Sequence, residues 1–466
     1  MKFELGIADL LVISVFVIAM FYVVLTVIFR VKSFKEFALG SRVFSTPVLV
    51  ATIVATYLSG SGFFIELSCI YEYGIAYFIS DIAIVISFII FGIFFVPRMQ
   101  IVLGSISIAE AISKIYGNNV RYLISVSSIL SSIGSIAAQF SVFSKIFEYF
   151  TGIDPKISII FSAILIIVYS AFGGIRSVIY TDVLQFIAFS ITIMIISALS
   201  FQYICSSTTA LDTIKMSNKF NLLSLLDMCN ASFWEMVNLS LFFGVKGLSS
   251  NTIIHRIIVA GDLSKMRKVI LYSSVVLIIF SVLIVIIPVS IFSIEQDLNP
   301  DNIISTIIGQ YSFFLGISGI LITGIVALSI STADSHINSA AVTFANDLLP
   351  SSCFRYKLLA AKLFSLILGS IGVVIALYEN NLLKIILLTK GFYLVIAVPV
   401  IIITVLGFRT HKNIVLLGMG LGLSTMILFK HVIQVTFDPS VISFFITISF
   451  ILVIGYLFKF KVYIRK

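Results

Sequence analysis

Apolar residues in this chain come in continuous blocks of about 20, and this feature limits the possible folds more than any other. Runs such as Ile82 to Phe95 and Ile270 to Ile287 contain no charged residue. A helix rises 1.5 Å per residue, so a block of about 20 residues crosses a hydrocarbon core about 30 Å thick. With 60% hydrophobic and 11% charged residues, a soluble monomer would expose too much apolar surface. A membrane β-barrel would show alternating segments of about 10 residues. The pattern therefore predicts an all-α membrane protein.

The blocks predict thirteen transmembrane spans. The first apolar run is too long for a cleavable signal peptide, so it is expected to be a membrane helix. Gly and Ser interrupt several of the blocks, which makes their ends the least defined feature. The predicted spans are residues 6–29, 46–70, 75–97, 119–149, 155–172, 178–203, 231–252, 268–293, 312–346, 357–378, 382–407, 413–431 and 440–458.

The distribution of Lys and Arg predicts the orientation of these spans. Of 30 basic residues, 22 fall on one side of the membrane if Lys246 is assigned by its order in the chain. Cytoplasmic loops retain Lys and Arg, so this side is predicted to be inside. One loop on the other side carries Glu295, Asp297 and Asp301 without a basic residue. The chain is therefore expected in the cell inner membrane, with its N-terminus outside and its C-terminus in the cytoplasm.

Composition also narrows the classes of function. The net charge of +9 does not predict nucleic-acid binding, because the basic residues are scattered among short loops. Cys69, Cys205, Cys229 and Cys353 show no metal-ligand spacing. Cys205 and Cys229 bracket the longest external loop, 206–226, and either form a disulfide in an oxidising space or remain free thiols. The four histidines are not clustered and no nucleophile–base pair stands out, so an enzyme is not expected.

The second span has glycine and serine at its middle. Gly60 and Gly62 alternate with Ser59 and Ser61. Each Gly lowers helix stability by about 1 kcal/mol, and Ser competes for backbone hydrogen bonds. The helix is therefore predicted to break here, which at bilayer depth is tolerated where the backbone lines a cavity. The alternative interpretation is a close helix crossing through small residues.

Polar side chains also crowd the ninth span between Ala327 and Ser339. Ser331 and Thr332 offer hydroxyl oxygens, and Asp334 offers a carboxylate. Oxygen-rich, sulfur-free surroundings suit a hard cation such as sodium. Helix packing through small residues would explain the serines but not Asp334, since an acid at bilayer depth indicates function.

A third segment contains Gly173 and Gly174, which predict a tight turn running into a new helix. Asp182 is then placed just inside that helix. It either stabilises the N-terminus of the helix or lies on an ion path, and the two roles are compatible.

The fourth segment is the seventh span, where Gly244 and Gly247 flank Lys246 and predict an opened helix. Arg256 is expected to mark the cytoplasmic end of this span. Lys246 lies ten residues earlier, so about 15 Å deeper if helical. It is predicted either to face an anion, namely Glu66, Asp334 or a substrate carboxylate, or to snorkel to the interface.

Taken together, these four segments resemble the sodium:solute symporter family, which includes the sodium/proline, sodium/pantothenate, sodium/sialate and sodium/glucose carriers. Residues 173–185 are similar to the family signature GG-x-x-A-V-x-x-TD-x-x-Q, with Ser177 in place of Ala. Residues 331–339 resemble a second signature. Residues 254–262 resemble the segment QR-x-x-A-A-x-D, with His255 in place of Gln. The resemblance covers essentially the whole chain.

The resemblance implies a LeuT-like core of two inverted five-helix repeats with broken helices. It divides the chain into five parts. They are the first transmembrane helix and cytoplasmic loop (1–45), the first inverted repeat (46–203), an external loop (204–230), the second inverted repeat (231–407) and C-terminal transmembrane helices (408–466).

The resemblance also implies a sodium site made of carbonyl and hydroxyl oxygens, and a substrate site beside the break. The implied sodium ligands are Ala55, Leu58, Leu328, Ser331 and Thr332. The implied ion path contains Asp182 and Asp334. The implied substrate residues are Thr56, Ser59, Gly60, Ser61, Gln139, Phe243 and Lys246.

These observations predict a sodium-coupled symporter that imports a small polar solute by alternating access. Sodium is the expected coupling ion, and the solute and the lipid bilayer are the expected partners. Lys246 favours an amino acid or another carboxylate as the solute. One alternative is a proton-coupled carrier in which Asp334 or Glu66 holds the proton. Another is a membrane solute sensor, although such proteins usually append a kinase or receiver domain and this sequence ends at Lys466. A passive channel is a third.

Overall fold

Helices make up the architecture. The computed structural model describes residues 5–28, 31–40, 44–221, 231–247, 250–311, 316–379, 381–433 and 438–464, and these ranges contain no β-strand. In a bilayer each backbone N–H and C=O needs a partner within the protein, and a helix supplies this within one segment. The predicted all-α membrane architecture is confirmed.

The α-helices are numbered here in chain order, and short tighter or wider turns extend or join several of them. They are α1 (Ile7–Ile28), α2 (Phe34–Leu39), α3 (Thr46–Tyr57), α4 (Gly60–Tyr73), α5 (Phe78–Ile90), α6 (Ile108–Tyr116), α7 (Asn118–Thr151), α8 (Pro155–Ser206), α9 (Thr208–Met216), α10 (Ala231–Gly247), α11 (Asn251–Ala260), α12 (Leu263–Ile294), α13 (Ile303–Tyr311), α14 (Ile317–Thr343), α15 (Lys357–Tyr378), α16 (Leu382–Ile396), α17 (Val398–Val405), α18 (Lys412–Leu428) and α19 (Pro439–Ile464).

Ten helical runs in the described part of the chain are long and apolar enough to cross a membrane. One of them, Gly60–Val102, has 43 residues, which is about twice the length that one crossing needs. Four shorter apolar helices, including Thr46–Tyr57 and Asn251–Ala260, add to the set. Helix count and span count therefore differ, and thirteen spans remain a prediction. Large apolar side chains such as Leu11 and Ile157 are exposed, as expected where helices face lipid tails.

Helix α14 lies at the centre of the bundle. It packs against α8 and α7 most extensively, and also against α1, α3, α4 and α15. Nearly all of its residues from Leu321 to Thr343 are buried. The polar run between Ala327 and Ser339 is therefore enclosed by protein rather than by lipid, as polar groups at bilayer depth require.

Two helices near the centre are interrupted. Only Leu58 and Ser59 separate the end of α3 from the start of α4, so the predicted break of the second span is confirmed. Ser250, directly before α11, has a non-helical ψ of 126°, so the seventh span is interrupted at this residue, and residues 248–249 before it lie outside the described part of the chain. Gly244 and Lys246 are helical within α10, so the opening that the glycines around Lys246 predicted is not observed at these residues.

The predicted turn at Gly173–Gly174 is a kink inside α8. Gly174 has a left-handed backbone with φ of 60°, and a Cβ atom there would lie 3.0 Å from the backbone of Phe37 in α2. Glycine is the residue that tolerates both conditions. Asp182 lies eight residues beyond the kink, or about two helical turns, which is too far to stabilise a helix N-terminus. The capping interpretation of Asp182 is therefore wrong.

The division into two repeats, an external loop and C-terminal helices remains a prediction. The predicted external loop, 204–230, contains α9 and a short helical turn at Asn218–Phe220. Cys229 lies outside the described residues, so its pairing with Cys205 is not tested. Among the described residues Cys205 is exposed and forms no disulfide.

Candidate functional site

The break between α3 and α4 is stabilised by local hydrogen bonds. Leu58 has a non-helical ψ of 85°, and its amide donates to the carbonyl of Val54 at 2.8 Å, which closes α3. Ser59 begins α4, because its hydroxyl accepts the amide of Gly62 at 2.9 Å. Ser at this position satisfies one of the amides that the first turn leaves free. Backbone groups on both sides of the break are thus available in the middle of the bundle.

Gln139 of α7 forms hydrogen bonds to the first turn of α4, next to the break. Its side-chain amide donates to the hydroxyl of Ser61 at 2.6 Å, and its carbonyl oxygen accepts the amide of Ser61 at 3.1 Å. The Gln139 side chain is almost fully buried, with 1% exposure. It therefore binds the first turn of α4 and fixes the direction of this half-helix.

Gly60 allows α4 to approach α14 closely, and this leads to a prediction. A Cβ atom at Gly60 would lie 3.1 Å from both Gln139 Oε1 and the Cα of Ser329, and closer still to the Ser329 hydroxyl. We expect Gly60→Ala to lower the free energy of unfolding by about 1–3 kcal/mol, because overpacking shifts the helices apart. Thermal unfolding of the purified protein measures this change.

Gly420→Ala is the matched control for that prediction. Gly420 lies inside α18, and a Cβ atom there meets nothing within 4 Å. This substitution should leave stability unchanged or raise it by up to about 1 kcal/mol, since Ala is the better helix former. An equal unfolding temperature for the two variants would contradict the close contact at Gly60.

Four of the five predicted sodium ligands converge where α14 passes the end of α3. The hydroxyl of Ser331 lies 2.8 Å from the carbonyl oxygen of Ala55 and 3.1 Å from that of Leu328. The hydroxyl of Thr332 lies 3.2 Å from the same Leu328 carbonyl. Leu58 follows Ala55 by three residues and lies at the non-helical end of α3. The donor set is entirely oxygen from carbonyls and hydroxyls, which suits a hard cation.

Asp182 belongs to a buried polar network that joins four helices. The side chains of Asp182 and Arg256 are both fully buried, and Arg256 Nη2 lies 3.3 Å from Asp182 Oδ2. The Thr52 hydroxyl of α3 donates to the same carboxylate oxygen. Arg256 also donates to Ser335 of α14 at 2.8 Å and to the Thr52 hydroxyl at 3.2 Å. The network thus ties α3, α8, α11 and α14 together on one side of the sodium-site candidates.

Asp334 and Thr56 extend this polar region. Asp334 is fully buried, and the hydroxyl of Thr181 lies 3.5 Å from its carboxylate. The hydroxyl of Thr56 bonds to the carbonyl of Thr52 at 2.7 Å and lies 3.1 Å from the Ser335 hydroxyl. The two predicted ion-path acids, Asp182 and Asp334, therefore lie in one connected region of hydroxyl groups.

A polar cavity opens beside the break. Its walls come from α3, α7, α11, α14 and α16, together with the break itself and the start of α17. Of the predicted substrate residues, Thr56 and Ser59 line it, and so does the sodium-ligand candidate Thr332. The residues of the set that do not line this cavity are Gly60, Ser61, Gln139 and Phe243.

Lys246 and Phe243 occupy the second half of α10. The backbone of Lys246 lies in this helix, but its side chain lies outside the described part of the structure. Phe243 is half-buried and makes an edge contact with Phe242 at a ring distance of 5.4 Å. The structure does not bring Phe243 to the cavity, and the predicted role of Lys246 stays a prediction.

Sequence reasoning missed three features of this site. Arg256 is fully buried against Asp182, a pairing that the sequence analysis did not predict, and its expected place at the cytoplasmic end of the span remains a prediction. Lys390 of α16 and His336 of α14 line the cavity and were not singled out. The signal for Lys390 was available, because a Lys well inside an apolar span is itself an indication of function.

Comparison with known proteins shows that the part of the sequence containing these residues matches one protein family. The model of the sodium:solute symporter family matches residues 37–422. The sodium/sialic acid symporter NanT of Aliivibrio fischeri is 24% identical over 327 residues, which are 64% of this chain and 61% of that protein. The Escherichia coli sodium/pantothenate symporter is 28% identical over 32% of both chains. The human high affinity choline transporter 1 is 29% identical over 29% of this chain and 23% of the relative. The chain thus matches less than two thirds of the length of each of these curated relatives.

Solved structures show the same fold over almost the full chain. A Na⁺-coupled sialic acid symporter in a substrate-bound outward-open state superposes with a TM-score of 0.85, covering 97% of this chain and 96% of that one at 18% identity. MhsT in complex with L-phenylalanine superposes with a TM-score of 0.57 at 14% identity, covering 89% and 98%. The predicted LeuT-like fold, with interrupted helices in its core, is confirmed.

Proposed function

The chain belongs to the sodium:solute symporter family, and we propose that it imports a small polar solute together with sodium by alternating access. The single observation that carries this proposal is the convergence of Ser331 and Thr332 of α14 on the carbonyl oxygens of Ala55 and Leu328. Two helices supply this oxygen cluster, and one of them ends beside it. An ion held there joins α14 to the break.

Sodium and solute are coupled through shared structure. Thr332 is a candidate sodium ligand and also lines the cavity, and Thr56 lies next to the ligand candidate Ala55 and lines it as well. Sodium that fixes these residues raises the affinity of the cavity for solute, and solute then tightens sodium binding by the same factor. Gln139, Gly60 and Ser61 would act on the solute through the orientation of α4.

The buried network around Asp182 is proposed to hold the ion route closed on one side. Arg256 neutralises Asp182, and both contact α3 or α14 through Thr52 and Ser335. Movement of α3 against α8 would separate these groups and open a path past Asp182 and Asp334. In this proposal the two predicted repeats move against each other, with the N-terminus outside and the C-terminus inside the cell inner membrane.

The solute is proposed to be an amino acid or another carboxylate. Sialic acid and pantothenate, which two relatives carry, are both carboxylates, whereas choline is a cation. No carboxylate side chain lines the cavity among the described residues, and Lys390 and His336 do. A cavity of this composition favours an anionic group over a cationic one.

A proton-coupled carrier is the second candidate, and one observation favours it. Glu66 of α4 and Asp81 of α5 are both buried, with 7% and 4% exposure, and their side chains lie close enough to share a hydrogen bond. Two adjacent buried carboxyls can hold one proton between them. A proton-coupled carrier would accumulate solute under a pH gradient in the absence of sodium.

The test is a thermal-shift screen of the purified protein against amino acids and other small acids, in sodium and in potassium. A ligand that binds only the folded state raises the unfolding temperature. The proposal predicts at least one ligand whose stabilising effect requires sodium and is reduced by Thr332→Ala. Equal shifts in sodium and potassium for every ligand would contradict sodium coupling and favour the proton-coupled candidate.

A further inference from the structure

The cavity beside the break is lined by a lysine that lies well inside a membrane-spanning helix. Lys390 is the ninth residue of α16, so it lies about 12 Å along the axis from Leu382 at 1.5 Å per residue. It is half-buried and lines the cavity. An ammonium group at bilayer depth is expensive unless an anion or a polar cavity stabilises it.

A second basic group lies on the cavity wall. His336 of α14 is one turn beyond the sodium-ligand candidate Thr332, and its Nδ1 lies 3.3 Å from the Ser132 hydroxyl of α7. Lys390 and His336 are the ionisable side chains with basic groups that line the cavity in the described residues, and neither Asp nor Glu lines it there. Of the acids nearby on α8 and α14, Asp182 bonds to Arg256 and Thr52, and the Asp334 carboxylate lies 3.5 Å from the Thr181 hydroxyl.

Neutral hydrogen-bond donors complete the wall. Ser131 and Ser132 of α7 and Thr252 of α11 present hydroxyls, and Tyr393 lies one turn after Lys390 on α16. An ammonium group and hydroxyl groups can all donate hydrogen bonds to a carboxylate, and bonds to a charged acceptor are stronger than those between neutral groups. In this conformation the cavity has a volume of about 50 Å³, well below the roughly 300–1,000 Å³ of a pocket that holds a whole small molecule, so a bound solute requires the cavity to widen.

We propose that Lys390, assisted by His336 and the α7 hydroxyls, forms the subsite that binds the carboxylate of the transported solute. This inference rests on the proposed function and adds the residue that selects the charge of the solute. In this proposal Lys390, rather than Lys246, is the main residue that binds the carboxylate. Because the candidate sodium ligand Thr332 lies one turn before His336 on α14, the anion and the sodium ion would occupy neighbouring positions along one helix.

The experiment compares each acid with a neutral analogue of nearly the same shape. The probes are pantothenate and pantothenol, proline and prolinamide, sialic acid and its methyl ester, and acetate and acetamide, with choline as a cation. Binding to the purified full-length protein is measured in sodium by thermal shift and by titration. The proposal predicts that at least one acid binds ten times or more tightly than its neutral partner, and that choline does not bind.

Three variants then assign this preference to Lys390. Lys390→Gln is expected to weaken the acid at least tenfold and to bring the acid and its neutral partner to equal affinity. Lys390→Arg is expected to keep the preference for the acid, because it keeps the charge. Lys384→Gln, on the same helix but with a 68% exposed side chain, should behave like the unmodified protein. If Lys390→Gln does not fold, the comparison of each acid with its neutral partner on the unmodified protein and on Lys390→Arg still tests whether the site prefers a carboxylate.

The subsite and the symport proposal fail in different ways. Sodium-dependent binding of neutral analogues or choline with equal or higher affinity would overturn the carboxylate subsite and leave sodium symport intact. An unchanged preference of Lys390→Gln for the acid over its neutral partner would overturn the subsite as well. The same holds if a neutral probe stabilises the protein in sodium and no acid does. Binding that is independent of sodium for every probe would instead overturn the proposed function.

Discussion

Asp182→Asn is expected to lower the free energy of unfolding by about 3–5 kcal/mol, because it leaves the Arg256 guanidinium charged and uncompensated inside the bundle. Both side chains are fully buried, and Arg256 bonds to Thr52 and Ser335 in the same network. Arg256→Gln should cost a similar amount, since it leaves Asp182 without its counter-charge. The double variant should lose less than the sum of the two single variants, because it removes both charges. Thermal unfolding of the four purified proteins measures this cycle.

An exposed ion pair gives the matched control. Lys384 and Glu379 form an ion pair near the start of α16, with side-chain exposures of 68% and 32%. Surface pairs of this kind contribute about 0–1 kcal/mol, so Lys384→Gln should be nearly neutral. If Asp182→Asn is as mild as Lys384→Gln, or if the double variant shows simple additivity, Asp182 and Arg256 do not act as a buried pair.

Ser331→Ala is expected to raise the sodium concentration for half-maximal binding by about 10- to 150-fold. Contacts between a hydroxyl and a charged group contribute about 1.5–3 kcal/mol, and each 1.4 kcal/mol is a factor of ten. The Ser331 hydroxyl is fully buried and lies between the carbonyls of Ala55 and Leu328, so no water replaces it readily. Sodium titration of the thermal shift, without solute, measures this constant.

Ser365→Ala provides the comparison for that titration. Ser365 is also fully buried, and its hydroxyl donates to the carbonyl of Ala361 in α15 at 3.0 Å. It therefore loses a similar hydrogen bond away from the candidate site. The sodium constant of Ser365→Ala should stay within about twofold of the unmodified protein, well below the shift that loss of a direct ligand contact produces. Equal sodium constants for the two variants would exclude Ser331 as a ligand.

Local sequence patterns were sufficient for the features that depend on a few neighbouring residues. The alternation of Gly60 and Gly62 with Ser59 and Ser61 predicted the break, because Gly weakens a helix and Ser caps one. The polar run around Ser331 was likewise visible within one apolar span. In both cases the structural consequence lies within about two helical turns of the residues that cause it.

Tertiary pairings were beyond the reach of these patterns. Arg256 and Asp182 are 74 residues apart, and the positive-inside rule used Arg256 only as a mark of the cytoplasmic side, without indicating its partner. That rule counts charges by side and does not measure depth, which is also why Lys390 was not singled out. Gln139 was predicted as a substrate residue, which remains a prediction, and its two hydrogen bonds to Ser61 depend on how α7 packs against α4.

The most direct test of the central claim is solute accumulation in proteoliposomes, using the acid with the largest sodium-dependent thermal shift. The account predicts uptake above the external concentration when sodium outside exceeds sodium inside. It predicts only equilibration when sodium is equal on both sides or is replaced by potassium. Accumulation that persists without a sodium gradient would contradict the assignment as a sodium-coupled symporter. Equilibration without accumulation under every gradient would contradict it as well.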